Sequence, residues 1–248
     1  TFEGINWLKY NEASGVPSLS KSTIEKILIY HPNIEEQQKI ATFLTLIDKR
    51  IETQRKIIEG YESLIKGLSH GLFKNNKAFN KKKPGSLCII KKGHQITAID
   101  LFDIGKYYVM NGGVNPSGYY DNYNTEADTI SISEGGNSCG YVQYNDSKFW
   151  SGGHCYTLED IDKQIVNQYL YFYLKSEQEK IMALRVGSGL PNIQKKDLER
   201  LEVNYPNIEK QNQITNFLSR IDAKLELEKS LLLKYNEQKQ YLLDSLFI

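Results

Sequence analysis

Residues 32–48 read PNIEEQQKIATFLTLID, and residues 206–222 read PNIEKQNQITNFLSRID. The match extends both ways without a gap. Gly15 falls on Gly189 and Pro17 on Pro191; downstream, Tyr61, Leu68, Leu72 and Phe73 fall on Tyr235, Leu242, Leu246 and Phe247. Residues 15–73 and 189–247 are therefore two copies of one segment, and a duplication sets the architecture before any local signal does.

The second half of each copy predicts a long helix. In the first, Ile40, Leu44, Ile47, Ile51, Gln54, Ile58, Tyr61, Ile65, Leu68 and Leu72 recur in alternating steps of four and three. That is the period of a coiled-coil seam. The second copy keeps the phase from Ile214 through Leu218, Ile221, Leu225, Glu228, Leu232, Tyr235, Lys239, Leu242 and Leu246. Asn33 and Asn207, each after a proline, stand as N-caps. A seam this long cannot stay bare in water, so the two copies are expected to pack on each other.

Between the copies the periodicity changes. Residues 74–84 form a polar linker holding Lys81, Lys82 and Lys83. From residue 85 to 188, short β-type runs (87–90, 107–110, 129–132, 140–144) alternate with loops rich in Gly, Asn, Ser and Tyr. Residues 167–184 read as one amphipathic helix. The fold class is α+β: a mixed α/β domain flanked by two long helices, with residues 1–14 as the tail of a truncated first domain.

Composition narrows the function. The 248 residues carry 31 Lys and Arg against 30 Asp and Glu, a net charge of +1. That excludes a uniformly basic nucleic-acid coat but not a local patch. There is no stretch of membrane-spanning length and no signal peptide. Cys88, Cys139 and Cys155 are odd in number and lack metal spacing, which suits a reducing cytoplasm. His31, His70, His94 and His154 match no zinc pattern, so no metal site is expected. There is no phosphate-cradling glycine loop. Asn115-Pro116-Ser117-Gly118 is similar to an amino-methyltransferase loop but lacks its second proline and aromatic. Asp222 with Glu237 and Lys239 fits a loose nuclease spacing, but on a charged helix. No catalytic constellation emerges.

The Gly-Leu-Pro-Asn-Ile stretch at 189–193, Pro206 to Gln211, and the Phe-Leu-x-x-Ile-Asp of 217–222, with their counterparts at 32–37 and 43–48, resemble the specificity subunit of type I restriction-modification systems. The resemblance covers nearly the whole chain. It implies a non-catalytic, DNA-reading subunit whose recognition domain reads one half of a split target. The helices would pack as an antiparallel coiled coil, act as a spacer and dock methyltransferase (modification) subunits. S-adenosylmethionine, ATP and Mg would serve the modification and restriction partners, with no cofactor bound by this chain. One departure stands out: a complete family member has two recognition domains, and this chain has one. It is either a C-terminal portion or a half-length form, the latter pairing with itself as a homodimer.

Base reading calls for Asn, Gln, Ser, Tyr or Lys side chains on exposed loops. The candidates are Asn111, Asn115, Ser117, Tyr119, Tyr120, Asn122, Gln143, Tyr144 and Lys148. Phosphate candidates are Lys81, Lys82, Lys83, Lys91, Lys92, Arg185, Ser188, Lys195 and Lys196. Between Pro84 and Leu190 eight basic residues face twelve acids, so any grip on phosphate is a patch at the junctions. That acidity leaves a second reading open, a glycan-binding module on a coiled-coil scaffold, with Trp150 and the tyrosines stacking on sugar. A third is a purely architectural adaptor.

Overall fold

Asn33 and Asn207 each close the first turn of a helix. Asn33 Oδ1 accepts from the Glu36 N–H and Asn207 Oδ1 from the Lys210 N–H, both at 2.9 Å. Each bond satisfies one donor that a helix start leaves open. In the computed structural model, which describes residues 5–28, 31–74, 79–187, 189 and 191–246, a short helix α1 (Lys21–Glu25) precedes α2 (Ile34–Lys74). The helical remainder is α3 (Asn167–Ser176), α4 (Gln178–Ala183), α5 (Lys195–Glu199) and α6 (Ile208–Leu246). The chain divides into two units, Thr1–Glu62 with Ala223–Ile248, and Ser63–Asp222.

In the first unit α2 and α6 run antiparallel. Asp48 pairs with Lys239 at 2.6 Å, the Arg50 guanidinium lies 4.9 Å over the Tyr235 ring, and Glu62 meets Lys229 at 3.8 Å. Ile51, Gln54, Ile58 and Leu225 are buried between the helices, as the heptad seam requires. Gln54 Nε2 donates to the Glu228 backbone carbonyl at 3.0 Å and to its carboxylate, across 174 residues. Those are equivalent positions of the repeat. An antiparallel pair of like helices has a local two-fold axis, and here the axis passes beside Gln54 and Glu228.

The second unit is built on a four-stranded antiparallel sheet. Its strands are β2 (Ile89–Lys92), β8 (Cys155–Glu159), β5 (Thr129–Ser133) and β6 (Val142–Asn145), in the spatial order β2-β8-β5-β6. A smaller sheet places β3 (Tyr107–Met110) between β4 (Tyr119–Tyr120) and β7 (Trp150–Ser151). Helix α3 covers the main sheet with Tyr169, Leu170, Phe172, Tyr173 and Leu174, all buried. The core continues into the long helices: Phe73 sits edge-on to Tyr169 and Tyr173 at 5.4 and 5.5 Å, and Ile214 and Leu218 share the same cluster.

Two differences from the sequence reading have physical causes. The basic stretch contributes a strand, β1 (Asn80–Lys82), which pairs antiparallel with β9 (Val203–Tyr205), Lys82 opposite Val203. The helix expected over 167–184 breaks at Glu177, whose N–H is shared between the Tyr173 and Leu174 carbonyls. Lys175 Nζ and Gln178 Oε1 then grip the Val142 carbonyl and N–H at 2.7 and 2.9 Å. Docking onto the start of β6 turns the helix axis there.

Candidate nucleic-acid interface

Glu134, buried at the end of β5, organises the loops of the second unit. Its Oε1 takes Lys92 Nζ at 2.6 Å and the Tyr156 hydroxyl at 3.0 Å, and His154 Nδ1 lies 3.6 Å from Oε2. Burial, and then the Glu134 carboxylate, push the Tyr156 phenol well above its ordinary range. The Glu134 carbonyl accepts from the Ile193 N–H at 2.9 Å and from Cys139 Sγ at 3.0 Å. One residue thus ties β2, β8, loop 134–141 and the segment leading to α5. The tip of that loop is open: Gly136 has φ +72, and nothing stands within 4 Å of where a Cβ would be. Gly136 N–H donates to the Pro191 carbonyl at 3.0 Å, while Val186 and Asn192 exchange both backbone hydrogen bonds. Arg185 therefore sits beside this loop.

The phosphate candidates divide by partner. Lys91 pairs with Glu159 at 3.4 Å, Lys92 with Glu134, Lys81 with Glu202 at 3.7 Å and Lys195 with Glu199 at 3.6 Å. Lys82 Nζ donates to Gln164 Oε1 at 3.3 Å. Lys83, Arg185 and Lys196 are exposed and make no ion pair among the described residues. Ser188 lies outside the described residues. A hollow of about 330 Å³ lined by Glu126, Asp128, Glu159 and Asp160 repels phosphate where it opens.

The base-reading candidates also separate. Asn115, Ser117, Tyr119 and Asn122 are exposed; the first two lie on the β3–β4 connection and Tyr119 opens β4. Tyr120 packs edge-on to Trp150 at 5.1 Å. Asn111 Oδ1 accepts from the His154 N–H at 3.2 Å, which holds two loops together. Tyr144 packs on Tyr171, its hydroxyl donates to Asp128 at 3.1 Å, and its phenol is pushed up to about 12, chiefly by burial. Lys148 lies 4.2 Å over the Tyr123 ring and pairs with Glu126 at 2.9 Å. Gln143 is half-buried, its Oε1 enclosed without a hydrogen-bond partner among the described residues. Tyr144 and Lys148 are thus engaged with their own domain. What residue type did not single out is an apolar loop, 98–105, that bridges to Tyr119; its signal was the run of Ile99, Leu101, Phe102 and Ile104 outside any strand pattern.

A mixed lobe set in sequence between two copies of one long helix is the fold of an S subunit. The crystal structure of the type I restriction-modification S subunit of M. genitalium superposes with a TM-score of 0.75, over 97% of this chain and 68% of that one, at 24% identity. The chain belongs to the family described as type I restriction modification DNA specificity domain, whose sequence profile matches residues 4–60 and 76–235. A protein of Mycoplasma genitalium named as a type I specificity subunit is 40% identical over 154 residues, 61% of this chain and 40% of that protein. One of Mycoplasma pneumoniae named likewise is 38% identical over 153 residues, with the same coverage. The aligned stretch thus spans less than half the length of either relative. No helix among the described residues is long and apolar enough to cross a membrane.

Proposed function

We propose that this chain is the non-catalytic, sequence-reading component of a type I restriction-modification complex, that its recognition domain reads one half of a bipartite DNA target, and that the outer faces of its helices dock methyltransferase subunits. The family match across both helix copies and the intervening domain carries this reading. Methylation and cleavage then fall to partner subunits, which supply S-adenosylmethionine, ATP and Mg; those groups lie outside this chain. The helix pair serves as a spacer. The 41 residues of α2, at about 1.5 Å each, reach roughly 60 Å, well beyond one turn of B-DNA at about 34 Å. A reader on such a rod addresses a different turn from its counterpart.

Methylome sequencing of cells carrying the intact system, with and without this chain, tests the proposal. A split methylated motif that vanishes with the chain supports it; an unchanged methylome rejects it. The glycan-binding reading draws on the lobe's acidity and its self-paired lysines. It requires binding to a sugar that is indifferent to salt, whereas duplex binding weakens with salt.

A further inference from the structure

Loop 98–105 holds the barest apolar side chains of the recognition domain. Ile99 is 94% and Ile104 89% exposed, with Phe102 at 47% and Tyr119 at 36% beside them. The loop is fastened to the start of β4 rather than loose. Phe102 N–H donates to the Tyr119 carbonyl at 3.0 Å, and Tyr119 N–H returns the bond to Phe102 at 2.9 Å. At Gly105 a Cβ would come within 2.7 Å of the Tyr119 Cβ, so the two segments touch backbone to side chain. They form one ridge, continuous with Asn115 and Ser117.

Its charged groups are carboxylates, which only accept. Asp100 and Asp103 are exposed on it, and Thr97 Oγ1 donates to the Asp100 carboxylate and fixes it. The nearest cation in sequence, Lys106, lies 5.1 Å over the Tyr107 ring. Two carboxylates do not track a phosphate backbone carrying a charge every ~1.7 Å. Along the floor of the major groove the match reverses: adenine N6 and cytosine N4 present amino donors, thymine presents a methyl group, and guanine presents only the acceptors N7 and O6.

We propose that this ridge reads amino- and methyl-bearing base edges in the major groove, with Ile99 and Ile104 against thymine methyls and Asp103 rejecting guanine. The inference rests on the DNA-reading function proposed above and names what that surface selects. It makes the ridge a specificity determinant that contributes no phosphate contact.

The test is selection of duplexes from a randomised pool by the full chain, alone and assembled with its methyltransferase subunits. It compares the unsubstituted protein, Ile99→Ser with Ile104→Ser, and Asp103→Asn. All three side chains are exposed, and thermal melting verifies that the variants fold. The double variant is expected to lose thymine preference at one or two adjacent positions by about tenfold. Asp103→Asn is expected to admit guanine at one position, and the salt dependence of binding stays unchanged in both. Identical base preferences in all three proteins overturn the ridge while leaving DNA reading intact. So does a uniform loss across sequences with a shallower salt slope, or retained preferences with lost methyltransferase assembly. If the unsubstituted protein selects no sequence, the DNA-reading function falls and the ridge falls with it.

Discussion

Gln211 and Gln37 occupy the same place in the repeat and meet different fates. Both donate to the carbonyl of the preceding proline, Gln211 to Pro206 at 2.9 Å and Gln37 to Pro32 at 2.8 Å. Only Gln211 is fully buried, donating also to the Gln164 carbonyl and accepting from the Val166 N–H, each at 2.8 Å. Gln211→Ala strands one amide and two carbonyls, and should cost roughly 2–3 kcal/mol in urea unfolding; Gln37→Ala should cost less than about 0.5 kcal/mol. Equal losses would refute the assignment. The capping asparagines could be read from sequence because a cap is local. The fate of these two glutamines could not, since identical residues differ only in what packs on them. The three thiols make a second prediction. Burial pushes Cys88 up to about 12 from the ordinary 9.0 and Cys155 to about 11, and raises Cys139 as well. The folded state therefore holds these protons more tightly than the unfolded chain. The resulting stability is complete below pH 9 and is lost as pH climbs from 9 toward 12. A thiol reagent at pH 8 should find no reactive cysteine in the native protein and three after denaturation.

Helices carry their pattern openly, whereas strands here do not. Every seam residue of α2 from Ile40 to Leu72 is buried or half-buried, because a two-helix contact imposes a period that sequence displays directly. The runs at 107–110 and 129–132 became β3 and β5. Strand β8 escaped notice because it lies between β2 and β5, with Cys155, Tyr156, Thr157 and Leu158 all buried, so no alternation marks it. β4 and β7, two residues each, are too short to show one. At this scale Gln54 is the informative position. Gln54→Leu leaves the Glu228 carboxylate facing an apolar neighbour and should destabilise the helix pair by about 1–2 kcal/mol. Adding Glu228→Leu should recover most of that loss, since an apolar pair of similar volume replaces the polar one; a strictly additive double variant would contradict the contact. Removing two heptads from both helices should shift or abolish the preferred gap in the split target, and an unchanged gap would dispose of the spacer role.

For the molecule as a whole, charge arithmetic decides how DNA could be held. Of the phosphate candidates, Lys81, Lys91, Lys92 and Lys195 already face carboxylates and Lys82 a glutamine oxygen, which leaves Lys83, Arg185 and Lys196 uncommitted among the described residues. Three phosphate contacts imply a slope of log K against log salt of about −3. A measured slope near −8 would mean that the internal ion pairs open on binding. Composition foretold the acidity of the domain, but the pairing of each lysine was invisible until strands distant in sequence were set side by side. The β1–β9 ladder has one more consequence. Because Asn80 lies opposite Tyr205, the backbone arrives at the recognition domain and departs from it at neighbouring points, as in a cartridge seated by a single clip. On the DNA-reading function proposed above, a foreign lobe of the same family spliced in at that clip would inherit the old frame while bringing its own vocabulary, and target preference would change by transplant, without redesign of the rods.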